Sequence, residues 1–132
     1  GWLLPEGYMW RLGEQQASPR QIEAFVVRRV GPQRAEQFWS RYRAQFVTEA
    51  DVALVAAMGF DHVRLPINAR GLVGEDGTVT DDGLAPIDRA LDWCQRHGLR
   101  LLLDLHGAPG GQTGTNIDDS LHGRPDLFTD PA

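Results

Sequence analysis

Arg64 is the residue whose chemistry is most constrained. It stands in His62-Val-Arg-Leu-Pro-Ile67, where Val63, Leu65 and Ile67 alternate with His62 and Arg64, the period of a strand. A guanidinium cannot give up its proton, so one that turns into a protein interior needs an anion beside it. Two partners are open to it: Asp104, which shares parity with His106 further along the chain, or a catalytic carboxylate. The second place is Asp104-Leu-His106-Gly107. Its imidazole could bind hydroxyls, move protons or ligate a metal, or be a satisfied polar group. A zinc site at a strand end would want His-x-His, whereas Leu105 is flanked by Asp104 and His106, which weakens the metal reading. The third place is the loop from Gly107 to Ser120. Its glycines allow close backbone approach to a ligand, and Gln112, Asn116, Asp118 and Asp119 offer the hydrogen-bond partners that sugars prefer. The bland alternative for this loop is a solvated surface.

These residues need elements to hold them. Ser18-Pro19-Arg20-Gln21 has capping-box spacing with Pro in the first turn, and predicts a helix from about Pro19 to Val30 on Ile22, Phe25, Val26 and Val30. Gly31 ends it and Pro32 opens a second helix, whose apolar stripe Ala35, Phe38, Trp39, Tyr42 and Phe46 reads as core rather than a ligand platform. Thr48 to Asp51 repeats the capping logic for a short helix that carries Val52, Val55 and Ala56 to Gly59. The Arg64 strand follows, then a turn at Asp76-Gly77. A helix on Leu84, Ile87, Leu91 and Cys94 comes next, closed by Gly98. Leu99 to Leu105 is nearly all apolar, as expected of a parallel strand covered on both faces. Trp2 to Leu4 could be the tail of a third strand. From Gly107 onward the chain reads as one long loop.

Helices alternating with strands give an α/β class with parallel strands. In barrels built this way, ligands meet the C-terminal ends of the strands, where Arg64 and His106 would lie. A closed barrel needs eight strands and usually ~250 residues, so residues 1–132 read as the N-terminal portion of a single barrel domain, roughly its first three strands.

Composition narrows the partners. The formal charge of −5 disfavours nucleic acid or an anionic membrane, both of which are held by clustered positive charge. No apolar run approaches the ~20 residues that span a bilayer. All thirteen basic residues are Arg, and without Lys a Walker-type phosphate loop is excluded. The single Cys94 cannot form an intramolecular disulfide and falls on the apolar side of its helix, where a buried thiol is expected. Neither localisation nor oligomeric state is legible, and no cofactor is implied.

The motifs together resemble glycoside hydrolase family 5. His62-Val-Arg-Leu-Pro-Ile67 is similar to that family's His-Val-Arg-Ile-Pro strand. Leu103-Asp-Leu-His-Gly-Ala-Pro-Gly110 is similar to the strand end of its exo-1,3-β-glucanase-like branch. The opening Gly1-Trp-Leu-Leu-Pro-Glu6, Phe38-Trp39 and Thr48-Glu-Ala-Asp51 match the same branch in the same order. The resemblance implies a (β/α)₈ barrel and a retaining β-glycosidase acting on β-glucans or β-glucosides, with two catalytic glutamates ~5 to 5.5 Å apart. None of Glu6, Glu14, Glu23, Glu36, Glu49 and Glu75 occupies either catalytic position. What the resemblance carries over is support: Arg64 beside the nucleophile, His106 near the scissile bond and Glu6 on the terminal glucose. Thr115-Asn-Ile-Asp-Asp119 departs from the branch's pattern, which leaves linkage and exo or endo action open. A non-catalytic carbohydrate-binding barrel and a metal-dependent barrel hydrolase are the competing readings.

Overall fold

The computed structural model describes residues 1–9, 11–12, 15–74, 76–120 and 123–129. Its elements run in the order β1 (Arg11–Leu12), β2 (Gln15–Gln16), α1 (Pro19–Val30), α2 (Pro32–Gln45), α3 (Glu49–Ala57), β3 (His62–Asn68), α4 (Asp81–Arg96) and β4 (Arg100–Gly107). β1 and β2 form a small antiparallel pair that the sequence reading did not anticipate, while β3 and β4 pair in parallel across α4. The class is α/β.

The caps explain where the helices start. Ser18 Oγ accepts from the Gln21 amide, and Gln21 Oε1 accepts from the Ser18 amide at 2.9 Å, so two otherwise unpaired N–H groups at the α1 terminus are satisfied. At α3, Asp51 Oδ2 accepts from both Thr48 N (2.8 Å) and Thr48 Oγ1 (2.7 Å). Those bonds hold its carboxyl below the ordinary range.

One face of β3 is buried. Leu65 and Ile67 pack with Trp2 and Ala90, and Val52, Cys94 and Leu99 form a second cluster toward the other end of the strands. Burying a side chain such as Leu or Ile contributes roughly 1.5 to 3 kcal/mol, so alternation along β3 fixes which way it faces. Cys94 is buried as expected, and burial raises its thiol pKa. On α4 the buried positions are Ala90 and Cys94, whereas Leu91, expected on the core stripe, is 51% exposed.

Two further expectations differ. Trp2 to Leu4 is not a strand, and Leu3 and Leu4 bend: side chains anchor the segment, with the Trp2 ring stacked 5.7 Å from Trp93 and its Nε1 donating to the Arg43 carbonyl. The α2 stripe is buried only at Ala35. Phe38 and Phe46 are more than a third exposed, and the rings stack along the helix, Tyr42 on Phe46 at 4.6 Å.

Candidate functional site

Strand register builds the site. Arg64 pairs with Leu102 and Pro66 with Asp104, and side chains two residues apart share a face, so Arg64, Asp104 and His106 project from the same side of β3 and β4. Arg64 Nη2 donates to Asp104 Oδ2 at 2.5 Å. His106 Nδ1 lies 3.0 Å from the same oxygen and 3.2 Å from Arg64 Nη2. Of the two partners open to Arg64, Asp104 is the one it meets in this chain. The pair is not deeply buried, with Arg64 53% and Asp104 25% exposed, and an ion pair this wet contributes about 0 to 1 kcal/mol.

The glycine-rich loop is held from within. Asp118 is fully buried, and its carboxylate accepts from the Gln112 and Thr113 amides, the Thr113 hydroxyl and the Ser120 amide at 2.6 to 2.9 Å. Burial alone would raise its pKa, but the bonds from Ser120 and Thr113 outweigh that and lower it. Gln112 Nε2 donates to the His106 carbonyl at 2.6 Å, and its Oε1 accepts from the Ala108 amide. Both residues were expected to meet a ligand, yet their polar atoms serve the loop itself. Asn116 is half-buried. At Gly111, φ is +80° and a Cβ would stand 2.0 Å from Ser120 Oγ, so no larger residue fits.

Asp119 closes the loop onto the rest of the chain. It is 2% exposed and accepts from Arg20 Nε at 2.7 Å and Arg70 Nε at 2.9 Å. Arg70 reaches on to Glu23 Oε2 at 2.7 Å. Burial opposes ionisation of Asp119, but Arg70 and Arg20 prevail and lower its pKa. Arg20, Glu23 and Arg70 carry no local signal of this role in the sequence, because the partners lie 47 to 99 positions apart.

Glu6 stands apart from this cluster. Its Oε2 lies 2.7 Å from the Gly1 nitrogen, and its charge raises the pKa of Tyr8. A cavity of 430 Å³ has Tyr8, Trp2, Arg64 and Leu65 among its walls, so the turn after Glu6 and the Arg64 strand border one space. Glu14 and Glu75 lie outside the described residues. Glu23 is taken by Arg70, and Glu49 pairs with Arg96 and His97 across α3 and α4. Among the described residues no group of three or more His, Cys, Asp or Glu is gathered to hold a metal ion, and no helix is long and apolar enough to cross a membrane.

Known proteins resemble the chain across these elements. Endoglucanase C of Acetivibrio thermocellus is 48% identical over 67 residues, which is 49% of this chain and 20% of that protein. The glucan 1,3-beta-glucosidase of Blumeria graminis is 47% identical over 72 residues, 54% of this chain and 17% of that protein. A beta-xylosidase of Phanerodontia chrysosporium is 36% identical over 105 residues, 77% of this chain and 22% of that protein. The chain thus spans less than a third of the length of these relatives. The family model described as cellulase, glycosyl hydrolase family 5, matches residues 21–125 and so takes in Arg64, Asp104, His106 and most of the loop behind them: the chain belongs to that family.

Proposed function

We propose that this chain forms part of a (β/α)₈-barrel β-glycosidase that hydrolyses O-glycosidic bonds in β-glucans or β-glucosides with retention of configuration. The observation that carries the reading is the meeting of Arg64, Asp104 and His106 on one face of a parallel strand pair, toward its C-terminal end, where barrels of this class do their chemistry. Arg64 stands beside the nucleophilic carboxylate and keeps it ionised. His106 lines the site near the scissile bond, and Glu6 takes hydroxyls of the terminal sugar. Gln112 and Asp118 act behind the surface, by shaping the loop on which Asn116 meets substrate. Both catalytic glutamates lie outside these residues, so proton transfer and covalent catalysis need the full-length protein.

The test is turnover by the full-length protein of aryl β-glucoside, β-1,3-glucan and carboxymethyl cellulose, with aryl β-xyloside for comparison, while NMR follows the anomer first released. Retained configuration on a glucoside or glucan supports the reading, and the 132-residue chain alone should give no turnover. Glucan binding without hydrolysis would instead identify a non-catalytic carbohydrate-binding barrel.

A further inference from the structure

The geometry points to Asp104 as a positioning residue that fixes the tautomer of His106 and the aim of Arg64 through a single carboxylate oxygen, an inference that rests on the glycosidase reading for its effect on rate. Asp104 Oδ2 is 2.5 Å from Arg64 Nη2 and 3.0 Å from His106 Nδ1, and the two nitrogens are 3.2 Å apart. A carboxylate only accepts and a guanidinium only donates, so Nδ1 can satisfy one of them and not both. If Nδ1 were unprotonated it would accept from Arg64 and present a lone pair to Asp104 Oδ2 at the shorter distance. If it carries the proton, both donors converge on Oδ2 and no acceptor faces another. The second arrangement is the one this geometry favours. It leaves Nε2 of the neutral imidazole as an acceptor, and Nε2 has no hydrogen-bond partner among the described residues. A sugar hydroxyl that donates to Nε2 would complete the ring's bonding. Asp104 also keeps the Arg64 guanidinium paired before a second carboxylate arrives, so the cation need not swing to reach its place. Strand register enforces all of this, because Asp104 and His106 are two residues apart on β4 and Arg64 lies on the neighbouring strand.

Nitrogen-15 NMR of the histidines in the full-length protein, at a pH where His106 is neutral, reads the tautomer directly, beside kcat/KM for the same samples. The wild type should carry its proton on Nδ1. Asp104→Ala should move it to Nε2, as Nδ1 turns to accept from Arg64, and kcat/KM should fall by roughly 10-fold or more, the cost of losing an oriented hydrogen-bonded group at a reacting centre. Asp104→Asn keeps an acceptor oxygen, so it should hold the Nδ1 proton and lose less. A wild-type proton on Nε2, or an unchanged tautomer in Asp104→Ala, overturns the inference, including where that variant is merely less stable. If Asp104→Ala does not fold, the wild-type and Asp104→Asn tautomers still decide. A wild-type protein with no glycosidase turnover defeats the functional reading and leaves the tautomer result standing by itself.

Discussion

Arg20 Nε donates to Asp119 Oδ2 across 2.7 Å, which ties the first turn of α1 to the end of the glycine-rich loop. Arg70 shares the same carboxylate and carries the tie to Glu23 in α1, so one buried anion gathers α1, the exit of β3 and the loop after β4. Removing it would leave two guanidiniums facing each other. Asp119→Ala should therefore cost about 2 to 3 kcal/mol, below the usual loss for a fully buried pair because both arginines stay more than a third exposed. Denaturant unfolding of the full-length protein checks it. A loss under about 0.5 kcal/mol, the scale of an ordinary surface change, would mean that solvent already holds these charges.

Acid should loosen the loop. Asp118 and Asp119 both have pKa values below the unfolded carboxylate value, which is about 3.9 for Asp. Below that value the unfolded chain binds protons that the folded chain refuses, so stability falls as pH falls through the folded values and is fully present above the unfolded one. Melting temperature followed from pH 7 down to about 3 should decline mainly below pH ~4. Asp119→Asn should flatten that decline, and an equally steep decline in the variant would assign the acid sensitivity elsewhere.

Much of the frame was legible because its signals are local. Ser18 and Gln21 lie three residues apart, and their reciprocal bonds are what the spacing predicts. Alternation along His62 to Ile67 likewise placed Leu65 and Ile67 on the buried face of β3 and Arg64 on the opposite one. At the candidate site, the shared parity of Asp104 and His106 made Asp104 one of two partners open to Arg64, and the contact of His106 with both was not foreseen. Tertiary closure was not legible in the same way. Asp118 reads as a polar loop residue, and only the fold shows that four loop donors consume its oxygens. The α2 aromatics fit a core stripe by period, but period does not say whether another element covers them.

β4 leaves apolar surface uncovered. Leu102, Leu103 and Leu105 are each about half exposed, and a strand of this kind invites pairing with another chain. The 132-residue chain expressed alone should associate at micromolar concentration, seen by light scattering. Replacing Leu103 and Leu105 with Lys should reduce that association. A monodisperse wild-type chain with a sharp cooperative melt would show that the exposed strand is tolerated.

Arg64 gives the sharpest test of the proposed chemistry, because its fixed positive charge acts directly on the protonation of a neighbouring carboxylate. Loss of a pair as exposed as this one is in the 132-residue chain costs about 0 to 1 kcal/mol, and in the full-length protein the melting curve reads the cost of Arg64→Ala. Its catalytic effect should be far larger. Without the cation, the nucleophilic carboxylate binds its proton more readily, and the acidic limb of kcat/KM against pH should move upward. Activity at neutral pH should fall by roughly 10²-fold or more, with kcat and not only KM affected. Arg64→Lys keeps the charge but loses the planar fork, so it should restore part of the limb and less of the rate. A folded Arg64→Ala protein with an unmoved acidic limb would remove Arg64 from the neighbourhood of the nucleophile and leave Asp104 as its sole anionic partner.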